Sequence, residues 1–165
     1  MMRAIIITMS ISALLLTGCH ASRAVFSEHP NEAAMQTAST FDIRVVDAEG
    51  ALSTSTCYLP QESNMEQSVA DRFVQENAGL LGDGLRITPR YVENLLVLDV
   101  YGLPTLESAA VEQAFLDALA GTMAQFYRVK TIGFLFDGEA LAELPNGTRC
   151  FIALDAAEYR TAKTE

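Results

Sequence analysis

The sequence predicts an α+β fold, a small mixed or antiparallel sheet with two helices packed on one face. Short runs rich in Val, Ile, Leu, Thr and Tyr recur at 41–45, 52–59, 85–92, 95–101 and 129–136, each bounded by turn residues. Two longer stretches, 63–77 and 105–126, instead repeat apolar residues at helical spacing. The order strand, strand, helix, strand, strand, helix, strand fits one domain, the size that a chain of 165 residues with half of them hydrophobic can support.

The domain is expected over 41–154. Phe41, Ile43 and Val45 alternate with Asp42 and Arg44 ahead of Asp47-Ala-Glu-Gly50, a strand and its turn, and Leu52–Leu59 reads as the returning strand. Ser63 with Glu66 three residues later has capping-box spacing, and Met65, Val69, Phe73 and Val74 form a helical stripe that Asn77 and Gly79 stop. Leu85–Val92 and Leu95–Tyr101 lie two residues apart and suggest a hairpin. Pro89 assigns the first of them to an edge or a bulge, and the second is apolar enough to be central.

The second helix is expected from Thr105 as N-cap, with Glu107 in its first turn and a stripe of Val111, Ala114, Phe115, Ala118, Leu119, Thr122 and Phe126. Gly121 inside it costs about 1 kcal/mol relative to Ala, which points to a close approach by another element. Val129–Phe136 reads as a buried strand closed by Asp137-Gly138. Arg149–Leu154 is a last candidate strand, and residues 155–165 read as a frayed tail.

The N-terminus has a different character. Met1, Met2 and Arg3 precede an uncharged run from Ala4 to Leu16, and Leu16-Thr17-Gly18-Cys19 follows. A helix of that length, at about 1.5 Å per residue, is too short for a hydrocarbon core of about 30 Å, so residues 1–18 read as a cleaved secretory signal. The tetrad resembles the bacterial lipobox, and that resemblance implies cleavage between Gly18 and Cys19 and a diacylglycerol on the Cys19 thiol. Two or three acyl chains would supply the membrane affinity. Residues 19–40 are poor in apolar periodicity and read as a tether that holds both histidines, His20 and His29. His20 stands where a retention aspartate would follow the cysteine in the enterobacterial lipoproteins. That favours the outer membrane, facing the periplasm, in an organism that has one.

Formal charge is −10, which argues against nucleic acid as a partner. Cys57 and Cys150 form an even pair in a chain expected in an oxidising compartment, so a disulfide would close a loop of roughly 90 residues and stabilise by about 4 to 5 kcal/mol. The alternative is two small buried apolar residues.

Residues 92–101, Val-Glu-Asn-Leu-Leu-Val-Leu-Asp-Val-Tyr, and residues 111–138, with Thr122-Met-Ala-Gln-Phe126 leading through Val129–Phe136 into Asp137-Gly138, resemble the GerMN domain of sporulation and spore germination. The resemblance covers about half of the chain after the signal and implies a compact module akin to ring-building motifs, found on envelope lipoproteins and tied to assembly rather than catalysis. This chain departs from the pattern in carrying one copy, in Pro89, and in the extra segment Arg149–Leu154.

A reactive centre is not legible. There is no phosphate loop, no His-Glu-x-x-His and no Cys-x-x-Cys, and neither histidine falls in the domain. Asp99 with Asp137 is the one carboxylate pair worth weighing, although turn and strand-end roles account for both. Asp47, Glu49, Asp137 and Glu139 lack the spacing of a calcium loop. No catalytic residue, metal or cofactor is therefore expected. The expectation is a lipid-anchored interaction or assembly module with an envelope protein partner; a cell-wall- or small-ligand-binding lipoprotein is the alternative. Phe134, Phe136, Tyr91 and Tyr101 could form an aromatic contact patch or belong to the core, and the strand edge at Leu85–Tyr91 could accept a partner strand.

Overall fold

A computed structural model describes residues 38–150 and 153–161. Strands β1 (Ala38–Val46) and β2 (Leu52–Pro60) form an antiparallel ribbon. Helix α1 (Met65–Glu76) and the single turn α2 (Ala78–Leu81) come next. They precede β3 (Arg86–Val92), β4 (Leu95–Tyr101), helix α3 (Ala109–Met123), β5 (Thr131–Phe136), the short β6 (Leu154–Asp155) and helix α4 (Ala156–Thr161). The second sheet has order β3-β4-β5-β6, antiparallel except for the parallel pair β4–β5 that α3 connects.

The expected α+β architecture with two helices on one sheet face is present. Side chains alternate across a strand, so Ile87, Leu96, Leu98, Val100, Ile132, Phe134 and Phe136 share one face, and all are buried. They join Val69 and Phe73 of α1 and Phe115, Leu119 and Met123 of α3 in one core. Phe134 and Phe136 are therefore core residues. β4 is central and β3 is an edge strand, as Pro89 requires.

Several boundaries move. The first helix is capped by Asn64 rather than Ser63, its side-chain oxygen accepting from the Gln67 amide at 3.3 Å. Glu66 is then free to accept from the Tyr91 hydroxyl at 2.9 Å instead of closing a capping box. The second helix starts at Ala109, because Ser108 and not Thr105 has the extended backbone of a cap and accepts from the Val111 amide at 3.3 Å. The expected strand Arg149–Leu154 is only partly within the described residues, since 151 and 152 lie outside them. Among the described ones, Leu154 and Asp155 pair with β5, while Arg149 makes an isolated bridge to Glu143. The segment before them curls back through Leu144 N–H to Thr148 O (2.8 Å) and Cys150 N–H to Ala142 O (3.0 Å).

Of the expected tail over 155–165, Ala156–Thr161 is a helix rather than frayed chain, and 162–165 lie outside the described residues. Ala156 is buried, Tyr159 packs on the core, and the Arg160 guanidinium donates to the carbonyls of Ala124, Phe126 and Val129 beyond α3. Those carbonyls have no helical partner, so the arginine satisfies the helix end. The Gly121 expectation is met by a side chain: a Cβ there would overlap the Arg44 guanidinium.

Candidate functional site

Of the carboxylates that sequence reasoning considered for chemistry, Asp99, Asp137 and Asp47 hold backbone in place. Asp99 is 1% exposed; Oδ1 accepts from the Gly138 amide at 3.0 Å and Oδ2 from the Tyr101 hydroxyl at 2.6 Å, with Arg90 at 3.6 Å. That hydrogen bond raises the pKa of Tyr101, since an anionic acceptor favours the protonated phenol. Asp137 takes φ 51° and Gly138 φ 83° in the two-residue turn that brings Glu139 back to Phe136, and its carboxylate accepts from the Gly102 amide at 3.1 Å. Asp47 is likewise used by the amides of Glu49 and Ala51, at 3.1 and 2.7 Å. Among the described residues no group of three or more His, Cys, Asp and Glu is placed to hold a metal ion.

Sequence reasoning missed Glu112. It is 1% exposed in the first turn of α3, and its two oxygens accept from the Asn146 amide (2.9 Å), the Asn146 side chain (3.0 Å) and the Thr148 amide (3.3 Å). An acid at the positive end of a helix dipole is favoured. Here it also fixes the Asn146-Gly147-Thr148 turn.

It also missed how the free strand edges are closed. The outward groups of β1 bond side chains rather than another strand. The Asp42 amide donates to Gln125 Oε1 (2.9 Å), whose Nε2 donates back to the Asp42 carbonyl (2.6 Å). The Arg44 amide donates to Thr122 Oγ1 (3.0 Å), and Asn77 accepts from the Val46 amide (2.8 Å) while donating to the Arg44 carbonyl (3.1 Å). On β3, Gln67 Nε2 donates to the Ile87 carbonyl at 2.9 Å and Pro89 has no donor. The edge at Leu85–Tyr91 is thus obstructed as a template for a partner strand. An amide or hydroxyl interrupting a helical stripe, as Thr122 does, is the signal that was available.

Three surface features remain. A cleft of about 580 Å³ lies between the ribbon and the helices, lined in part by Phe41, Arg44, Leu52, Thr54, Gly121 and Tyr159. Arg44 Nη2 donates to the Tyr159 carbonyl there at 3.1 Å. The Tyr159 hydroxyl bonds Asp117 at 3.0 Å, and burial with that carboxylate pushes its pKa up. Second, the sheet face away from the helices carries Leu95, Val97, Tyr101 and Leu135, each half-buried, with exposed Arg86 and Arg90 on β3. Third, Tyr91, Val92 and Tyr127 are exposed at one end of the domain around Arg128. Tyr91 is pushed up to about 12 by burial and by its bond to Glu66. Of the four aromatics weighed as a contact patch, only Tyr91 and Tyr101 reach solvent.

Cys57 and Cys150 are two buried free thiols, so the expected disulfide is not formed in the structure. Cys57 sits on β2 with Arg72, Glu76 and Asp42 as its charged neighbours. Cys150 lies near Glu112, its sulfur 3.9 Å from the Thr148 carbonyl. Burial raises both pKa values. Gly18, Cys19, His20 and His29 lie outside the described residues. No described helix is long and apolar enough to cross a membrane.

No protein-family profile and no curated protein sequence matches the chain. Solved structures do. The first GerMN domain of the sporulation protein GerM from Bacillus subtilis superposes with TM-score 0.58 at 16% identity, over 71% of this chain and 97% of that domain. The tandem GerMN domains of the same protein give 0.58 at 15% identity, over 73% of this chain and 47% of theirs, so this chain spans about half the tandem. A Clostridium perfringens protein assigned as a lipoprotein gives 0.51 at 12% identity, over 76% and 92%. At these identities the likeness concerns the backbone, and the domain has a GerMN-like fold.

Proposed function

We propose that this protein is a lipid-anchored interaction or assembly module of the cell envelope that performs no catalysis. The observation that carries the reading is the half-exposed sheet face of Leu95, Val97, Tyr101 and Leu135 beside Arg86 and Arg90. An apolar face rimmed by arginine suits contact with a protein surface, where Tyr and Arg contribute most per residue. The commitment of Asp99, Asp137 and Glu112 to backbone amides supports the non-catalytic half of the reading. The anchor is Cys19, and the periplasmic face of an outer membrane is the expected location where one exists. The partner is an envelope protein.

A photo-crosslinking residue at Val97, in cells, tests this. One discrete adduct that Arg90→Glu weakens is expected. Absence of any adduct at Val97, with the same probe elsewhere on the domain capturing a protein, would place the interface off the sheet. The second reading, a small-ligand or cell-wall-binding lipoprotein, is supported by the cleft at Arg44. A small molecule retained by the native protein in mass spectrometry, and lost in Arg44→Gln, would favour it.

A further inference from the structure

We propose that the end of the domain built from the β3–β4 turn and the loop between α3 and β5 rests on the bilayer surface that holds the lipid anchor. Tyr127, Tyr91 and Val92 then sit at headgroup level. The inference rests on the reading of Cys19 as lipidated and adds an orientation to it.

Three observations converge on this end. The first is exposure. Tyr127 is 86% exposed and Val92 59%, and Tyr91 is exposed as well. Three of the six large apolar side chains exposed among the described residues, Tyr91, Val92 and Tyr127, are therefore gathered here. The Arg128 guanidinium lies 5.6 Å from the Tyr91 ring centre and 6.0 Å from that of Tyr127. Tyrosine and arginine combine an apolar body with a polar tip, the combination that membrane interfaces select.

The second is rigidity. The amides of Lys130 and Thr131 both donate to the Asn94 carbonyl, at 3.2 and 3.3 Å, which ties the loop to the hairpin turn. Arg160 bonds the carbonyls on the other side of the loop. The rings thus stand on a fixed platform, and little ordering entropy opposes contact.

The third is where the chain enters. Phe41, the fourth residue of β1, packs against Phe126 with ring centres 5.4 Å apart, one residue before Tyr127. β1 begins at Ala38, three residues before Phe41, and the residues between Cys19 and Ala38 can span at most roughly 65 Å. A tethered surface acts at an effective concentration near millimolar, so a contact too weak to hold a free domain suffices to orient an anchored one. Charge opposes it less here than elsewhere. The Arg128 guanidinium lies 3.6 Å from Glu66 and offsets it, on a chain of net −10, which lowers the repulsion that anionic lipid exerts on an acidic surface.

The chain has no tryptophan, so Tyr127→Trp is a single reporter. The full-length lipidated protein carrying it is reconstituted into phosphatidylethanolamine and phosphatidylglycerol vesicles that contain lipid brominated near the headgroup. Leu141→Trp serves as control; Leu141 belongs to the segment that Glu112 holds at the other end of α3. At least twofold stronger quenching at position 127 is expected, with a blue-shifted emission, and Arg128→Glu should reduce the excess to parity. Flotation with the vesicles reads the anchor separately. A chain that floats with equal quenching at both positions overturns the orientation alone, and one that fails to float overturns the anchor reading with it. Shielding of the indole at position 127 only when envelope proteins are added would reassign this end to a protein partner and overturn the proposal.

Discussion

Asn77 is 1% exposed, and its side chain bonds the Val46 amide, the Arg44 carbonyl and the Phe73 carbonyl, joining the ribbon to the end of α1. Asn77→Ala would remove these partners from the Val46 amide and the Arg44 carbonyl, while the Phe73 carbonyl keeps the backbone amide of residue 77, at a cost of about 2 to 4 kcal/mol. Urea unfolding monitored by circular dichroism should show the loss as a lower midpoint at an unchanged slope. Tyr91 gives a prediction in pH. Its folded pKa, about 12, lies above the ordinary value of 10.0, so the fold favours the protonated phenol. The stability this contributes is complete below pH 10 and is lost as pH rises through about 12. A spectrophotometric titration of the phenols should therefore show one late transition fewer in Tyr91→Phe. Neither role was legible in the sequence. Asn77 read only as a helix stop, since its three acceptors and donors lie on residues up to 33 positions away. Glu66 read as half of a capping box, and its partner proved to be 25 positions distant.

Elements were more legible than the residues that join them. Strand periodicity located β1 to β5 because alternation reflects which face is buried. Cap positions slipped by one residue in α1 and by three in α3, since several neighbouring Ser, Thr and Asn side chains are chemically able to cap and backbone conformation decides among them. Gly121 was legible as a close approach, but the approaching group is a guanidinium. Gly121→Ala should gain about 1 kcal/mol in helix propensity while displacing Arg44 from the Tyr159 carbonyl, a charged hydrogen bond that contributes about 1.5 to 3 kcal/mol. The loss outweighs the gain, and a net destabilisation of about 1 kcal/mol is expected in the same urea assay. With Arg44→Gln already in place, Gly121→Ala should instead stabilise by about 1 kcal/mol, and that change of sign would tie the effect to this contact. Gln67 and Gln125 close strand edges from outside the sheet, and no period in the sequence announces an edge-closing amide.

Across the whole molecule, the two cysteines mark the limit of counting. An even number of cysteines suggests a bond and equally allows two buried thiols, since bonding requires α-carbons within about 7 Å, and separation along the chain carries no such information. The structure holds Cys57 and Cys150 as separate buried thiols with raised pKa values. Protein taken from the envelope should therefore label at both positions with a thiol reagent after denaturation without reductant, and slowly at both in the native state. Mass spectrometry of non-reduced peptides reads the outcome, and a Cys57–Cys150 crosslinked peptide would contradict it. Palmitate labelling that disappears in Cys19→Ala checks the anchor. The α+β class and the central and edge strands could be read from the order of residues, because hydrophobic period and proline act locally along the chain. Folding alone revealed that Asp99 and Glu112 hold loops, that amides close the strand edges and that exposed Tyr91 and Tyr127 flank Arg128. Each of these is a contact between residues distant in sequence, and hydrogen-bond geometry and burial exist only once the chain has folded.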